Sequence, residues 1–342
     1  MKKIAIISSG NGGQTMAAYF SYIGYKTALY VREPERVDMF PSNKFIISGA
    51  VEGVANIDLI SCDIEHVIKD AYLIMVTTPA QYHPIVARAM ASHLVDGQAI
   101  ILNPGRTFGT LEFSKILDES GCTADLMLGE TDTFAFTCRC PDLGRPQIYK
   151  IKENLRLAAH DKKYSARLLD ILRGLFESAS LADSVLYTGF SNMGMIFHPM
   201  PILMNITRVE QKEDFMFYMD GISPLVAGIL EKMDHERVSV AAAYGVTVPT
   251  ARQWLTECYG SKGDSLYGQI QNTDAYKTVL APTDIDTRYI FEDILTGCVP
   301  TSYAGRAVDV KTEVLDTLIK WASILYNRDF YAEGRRFDIV RH

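Results

Sequence analysis

The stretch "IAIISSGNGGQTMAA", beginning at Ile4, restricts the fold more than any other in this 342-residue sequence. Its first part, "IAIIS" (4–8), is a short apolar run that reads as a β-strand. Beyond the glycines, "TMAAYFSYIG" carries helical spacing. Gly10, Gly12 and Gly13 lie between the two, where the backbone can approach a pyrophosphate whose charge is favoured at a helix N-terminus. The window Ser8 to Gly13 has the G-x-G-x-x-G spacing, with Ser8 in place of the first glycine. The strand before the turn and the helix after it weigh more than the motif itself. A dinucleotide site is the first reading of this turn, and a ligand-free strand-to-helix turn is the second.

The same alternation runs through the first half of the chain. "KTALYV" (26–31), "AYLIMVTT" (71–78), "QAIILNPG" (98–105) and "ADLMLGE" (124–130) are apolar strands, with helical segments such as "HPIVARAMASHLV" (83–95) between them. Strands alternating with helices imply a parallel sheet covered on both faces. "FAFTCR" (134–139) and "PQIYKIKENLRLAAH" (146–160) read as an antiparallel extension, and "YSARLLDILRGLF" (164–176) is amphipathic. Past residue 186 long helical patterns take over, at 188–209, 221–245 and 310–327. Gly245 marks a helix stop, followed by a restart with Pro249 near the first turn. The expectation is a Rossmann-like, doubly wound α/β domain over 1–185. An all-helical domain over 186–342 follows it, joined without a low-complexity linker, and the active site is expected in the cleft between the two.

Composition removes several function classes. Apolar content of 48% and charged content of 22% are those of an ordinary globular chain. A net charge of −7 argues against a general binder of nucleic acid or acidic membranes. No window approaches 18 uninterrupted apolar residues, and the apolar run after Lys2 and Lys3 is too short for a signal-peptide core. Cys138 and Cys140 are the closest of six cysteines, too tightly spaced for usual zinc geometry, so no metal is expected. Reduced thiols in a cytoplasmic protein are the economical reading.

Two positions carry the chemistry. After the second strand, where NAD-specific folds usually place an acid for the ribose hydroxyl, the chain has Val31, then Arg32, Glu33 and, a turn on, Arg36. A guanidinium here suits a ribose 2′-phosphate and favours NADP(H). Glu33, one residue along, would serve the ribose of NAD(H) instead, and solvated surface arginines are the third reading. The other position is His198, in the otherwise apolar "NMGMIFHPMPILMN". It reads either as a hydrogen-bonded core histidine or as a proton donor, since imidazole titrates near neutrality. The methionines and aromatics around it read as core. His83 and His160 look like loop or surface histidines.

The chain resembles the octopine/nopaline (opine) dehydrogenase family over nearly its whole length. The matching stretches are "GNGGQTMAAYF", "TTPAQYH", "LNPGRTFGTLEF", "GETDTFAFTCR", "NMGMIFHPMPILMN", "FYMDGISPLVAGILEKMDHERVSVAAAYGV" and "RYIFEDILTGCVP". "VREPERV" resembles the NADP-binding turn of the β-hydroxyacid dehydrogenases. The resemblance implies reductive condensation of an amino acid with a 2-oxo acid through an imine, using hydride from NADPH or NADH. It implies His198 as catalytic residue with Asp293 as its partner, Arg288 as the binder of a substrate carboxylate, and Thr133 and Cys138 as pocket lining. For the cofactor it implies Ser8, Gly10, Asn11, Gly12, Gly13, Thr78 and Pro79, beside Arg32 and Arg36. A homodimer is one compatible assembly. A carboxylate on the far ring nitrogen would fix the imidazole tautomer and stabilise the imidazolium. The 6-phosphogluconate and ketopantoate reductase types use a lysine on the corresponding helix, and 188–207 contains none. A histidine-dependent 2-hydroxy acid or ketone reductase, and a catalytically dead NADP-sensing protein, are the alternatives.

Overall fold

Helix Asn11–Tyr22 starts hard against the end of the strand before it, and the first unit is arranged around that junction. In the computed structural model, which describes residues 1–337, the chain divides after Thr188 into two compact units. Residues 338–342 of the expected second domain lie outside the described residues.

The first unit holds twelve strands: β1 (Lys3–Ile7), β2 (Lys26–Tyr30), β3 (Lys44–Gly49), β4 (Gly53–Asn56), β5 (Leu59–Ser61), β6 (Leu73–Val76), β7 (Ala99–Leu102), β8 (Met127–Thr131), β9 (Phe136–Asp142), β10 (Arg145–Ile151), β11 (Arg156–Ala159) and β12 (Ser180–Leu181). Eight of them form one sheet in the order β12-β11-β8-β7-β6-β1-β2-β5, parallel except where β11 meets β8. The chain runs outward from β1 to β2 and β5, then returns to lay β6 on the other side of β1. The strand order therefore reverses at the C-terminal end of β1, where open α/β sheets bind ligands. Alternate β1 side chains enter different cores. Ile4 and Ile6 pack with Met16 and Phe20, while Ala5 and Ile7 pack with Val86 and Phe113. Burial on both faces explains why these strands read as continuous apolar runs.

The antiparallel extension expected from 134–160 is corrected in part. β11 does join the main sheet, but β9 and β10 form a hairpin in a second sheet, ordered β4-β3-β10-β9. Its other half is the hairpin of β3 and β4, which the sequence pattern does not announce. Phe45, Ile47, Phe136 and Ile148 from this sheet bury themselves in the same core as Met16 and Phe20. A sheet with one covered face alternates, and that weak signal depends on partners about a hundred residues away.

In the second unit, Ser223 accepts a hydrogen bond from the Val226 N–H and Pro224 occupies the first turn of helix Pro224–Ala243. That helix stops at Gly245, whose φ of +74° lets the Val246 N–H turn back to the Ala241 carbonyl at 3.0 Å. The restart is helix Ala251–Tyr259, capped reciprocally by Thr250 and Gln253, so Pro249 lies outside the first turn. Helix Glu313–Tyr326 matches the last long pattern. The pattern at 188–209 is not one helix. It breaks into the end of Val185–Phe190, then Gly194–Phe197, Pro199–Met204 and Ile206–Glu210. Pro199 has no N–H to donate to the preceding turn and its ring crowds the carbonyl four residues back. The interruption falls on His198.

Gly13 sets the helix–strand contact. A β-carbon there would lie 1.8 Å from the Ser8 carbonyl oxygen, whereas one at Gly10 would meet nothing closer than 3.6 Å. Gly13→Ala is expected to cost about 2–4 kcal/mol of stability and Gly10→Ala no more than about 1 kcal/mol, as read by urea unfolding. Equal losses would show that the contact does not control the turn.

Candidate active site

Two constellations emerge, one in each unit. In the first, the turn after β1 opens helix Asn11–Tyr22 with its early N–H groups directed out of the helix end. Ser8 Oγ accepts the Gly10 N–H at 3.3 Å, and Gly12 packs beneath the Phe134 ring. The Ser9 carbonyl accepts from Gln14 Nε2 at 2.8 Å and from Arg36 Nη2 at 3.4 Å. Asn11 Oδ1 accepts the Cys140 N–H at 3.1 Å, and Cys138 Sγ lies 4.0 Å from the Asn11 carbonyl, so β9 braces the start of the helix.

Arg32 and Arg36 differ in setting. Arg32 is exposed, pairs with Glu33 and lies over the Tyr82 ring at 5.5 Å. That hydrogen bond holds the Glu33 carboxyl below its ordinary range. Arg36 folds back onto the glycine turn, and its Nε is buried without a protein partner among the described residues. Thr78 Oγ1, beyond β6 and next to Pro79, is likewise buried and without a protein partner there. Buried polar atoms left in this way beside a glycine-lined helix start fit a phosphate-bearing ligand.

In the second unit, His198 and Asp293 meet. Nδ1 of His198 is 2.7 Å from Oδ2 of Asp293, with the carboxylate fully buried and the imidazole 14% exposed. The two are 95 residues apart in sequence. Asp293 ends helix Arg288–Asp293, and a π-helical turn, Ile294–Cys298, follows it at once. Such turns gather at functional sites. Arg288 opens the same helix; its guanidinium is largely exposed, 3.9 Å from the buried Glu292 carboxylate. With Nδ1 engaged by Asp293, Nε2 is the nitrogen that can face a substrate.

Thr133 and Cys138 lie in the first unit. Thr133 Oγ1 accepts from Lys152 Nζ at 2.7 Å, and Cys138 stands on β9 near Asn11. His160 is exposed as expected, but His83 is not a surface residue. It is fully buried at the start of helix His83–Met90, edge-on to Phe113 at 6.2 Å. Met193, Met195 and Met200 are core, as their pattern indicated. Two neighbours went unnoticed in the sequence: Gln14, which looked like one more helix residue, and Tyr289. The latter's spacing from Asp293, four residues on a helix, was the available signal. No helix among the described residues is long and apolar enough to cross a membrane.

A glycine turn at the switch point of a doubly wound sheet, with a His–Asp pair on a helical unit that follows in sequence, is the build of a dinucleotide-dependent dehydrogenase. Residues 181–326 match the family model for the NAD/NADP octopine/nopaline dehydrogenase α-helical domain. Opine dehydrogenase of Arthrobacter sp. strain 1C is 35% identical over 339 residues, covering 98% of this chain and 94% of that one. The chain therefore belongs to the opine dehydrogenase family and is an NAD(P)-dependent oxidoreductase acting on CH–NH bonds. The fold agrees with that of octopine dehydrogenase solved with NADH and agmatine, at a TM-score of 0.79 and 22% identity over 96% of this chain and 90% of that one. It agrees also with yersinopine dehydrogenase bound to NADP+, at 0.73 and 14%, over 96% and 93%.

Asp132, beside Thr133, accepts the Arg156 N–H at 3.1 Å, yet burial raises its carboxyl from 3.8 to about 6. A carboxyl that binds its proton more tightly when folded favours the native state at low pH. Its contribution fades as pH rises from about 4 through 6. Asp132→Asn keeps an acceptor for Arg156 and should flatten the fall in stability between pH 4 and pH 8 by roughly 2 kcal/mol, measured by urea unfolding at both. An unchanged pH slope would refute the buried-carboxyl assignment.

Proposed function

We propose that this enzyme joins the amino group of an amino acid to a 2-oxo acid and reduces the resulting imine to a secondary amine, with NADPH as the preferred reductant. The observation that carries this reading is the buried His198–Asp293 pair. The overall change consumes amine, 2-oxo acid, reduced cofactor and one proton, and releases the secondary amine, water and oxidised cofactor. The nicotinamide supplies hydride to the imine carbon when bound. His198 Nε2 gives its proton to the imine nitrogen and regains one from solvent. Asp293 keeps Nδ1 protonated and stabilises the imidazolium before transfer. Arg288, a planar fork at the start of the helix that ends in Asp293, binds a substrate carboxylate. Thr133 and Cys138 line the pocket by analogy with the family.

The cofactor would lie on the glycine turn, with its pyrophosphate at the start of helix Asn11–Tyr22 and Thr78 and Pro79 alongside. Structures of this fold are described with NADH and with NADP+, so the fold leaves the choice to local residues. Arg32 and Arg36 put two guanidinium groups after β2, and the Glu33 carboxylate is turned onto Arg32. The two guanidinium groups favour a 2′-phosphate, which would compete with Glu33 for Arg32. A lysine-dependent reductase is disfavoured by the absence of lysine around His198. A 2-hydroxy acid reductase would consume NADPH with the oxo acid alone.

Four measurements test the reading. NADPH oxidation should require amine and 2-oxo acid together, with the product mass equal to the condensed, reduced pair; oxidation with the oxo acid alone would support the ketone reductase. His198→Gln should lower kcat at least about a hundredfold with little change in NADPH affinity. Asp293→Asn should cost much of the activity, and the double variant little more than His198→Gln alone, because groups acting as a unit are non-additive. Fully additive losses would dissolve the pair. Arg32→Ala should weaken NADPH binding by about 1.5–3 kcal/mol and NADH little; equal losses would mean that Arg32 does not read the 2′-phosphate.

A further inference from the structure

The imidazole of His198 is held on its face as well as at its edge. The Tyr289 ring lies parallel to it, with centroids 4.0 Å apart and planes 13° from coincidence. Tyr289 precedes Asp293 by four residues on helix Arg288–Asp293, so both side chains point from one side of the helix, one turn apart. Asp293 engages Nδ1 and Tyr289 covers the ring, so one helix limits both rotation of the imidazole about its bond and tilting of its plane. Phe217 stands against both rings, 6.4 Å from His198 and 5.2 Å from Tyr289, tilted to each rather than stacked. Thr287 fixes the start of the helix by accepting the Tyr289 N–H at 3.4 Å.

We infer that Tyr289 is a positioning residue for His198, its ring fixing the plane in which Nε2 faces substrate. The hydrogen bond from Nδ1 to Asp293 and the stack on Tyr289 restrain different motions of the ring. Without the aromatic face the hydrogen bond alone would hold the imidazole, and its plane would tilt more freely. The inference rests on His198 as proton donor, and its test is separable from that assignment.

The experiment is steady-state kinetics, with urea unfolding alongside, on the full-length protein and on Tyr289→Phe, Tyr289→Leu and Phe217→Leu. Tyr289→Phe keeps the face and should leave kcat within about threefold of the parent. Tyr289→Leu should lower kcat about ten- to a hundredfold, the scale of a misplaced proton donor, with KM and NADPH affinity within about threefold. Phe217→Leu removes comparable apolar area from the same cluster without touching the stacked face, and should destabilise the fold with little loss of kcat in the folded enzyme. In a His198→Gln background Tyr289→Leu should cost little more, because the two act as a unit. Normal kcat in folded Tyr289→Leu overturns the inference, as does an equal loss in Phe217→Leu or a loss that persists undiminished in the His198→Gln background. Failure of the donor assignment shows separately, as near-normal activity of His198→Gln.

Discussion

The approach of helix Asn11–Tyr22 to the end of β1 is the contact on which the first unit depends. The Gly13 backbone lies against the Ser8 carbonyl so closely that any side chain would occupy the same space. This closeness brings the helix start directly above the strand, at the reversal of the sheet order. It also lets Met16 and Phe20 reach a core shared with β1 and with the second sheet. Gln14 extends the arrangement, donating to the Ser9 carbonyl and accepting the Gly144 N–H at 2.9 Å, so one buried amide ties the turn to the β9–β10 hairpin. Together these contacts hold the backbone of the turn in place.

The helical unit solves a different problem, which is how to keep an ionisable ring inside an apolar cluster. Pro199 breaks the helix at His198, and the ring's Nδ1 then meets Asp293 while its face packs on Tyr289. The segment leading to His198 is fixed by a second buried ion pair. Arg237, fully buried, donates to Asp234 at 2.6 Å and to the Pro249 carbonyl at 2.7 Å, and it also reaches the Phe190 carbonyl. Asp234 accepts the Ala251 N–H at 2.7 Å. A buried guanidinium is tolerated only when its donors are met, and here each partner belongs to a different segment. Arg237 therefore holds together the chain before His198, helix Pro224–Ala243 and the start of helix Ala251–Tyr259.

The same economy appears in helix Arg288–Asp293. Its six residues present a cation at one end, a carboxylate at the other and an aromatic face between them. The helix is too short to be stable alone, and its N-cap and the surrounding core keep it in place. The three groups are set by one short piece of backbone, so their spacing is fixed together.

The sequence by itself determined the parallel sheet, the glycine turn, two long helices with the stop of one at Gly245, and the presence of a histidine followed by proline within an apolar segment. These signals are local. Periodicity, caps and turn residues act within a turn or two of backbone, so they can be read from neighbours in the chain. Resemblance to a family named Asp293 and Arg288, which residue pattern alone would not have singled out. Only the tertiary structure decided that 44–56 joins 136–151 in a second sheet, that His83 is buried, and that Gln14 braces the glycine turn. It alone also set Tyr289 flat against His198. Those facts depend on segments far apart in the chain meeting in one core, where alternating or isolated residues gain meaning only from the partner they pack against.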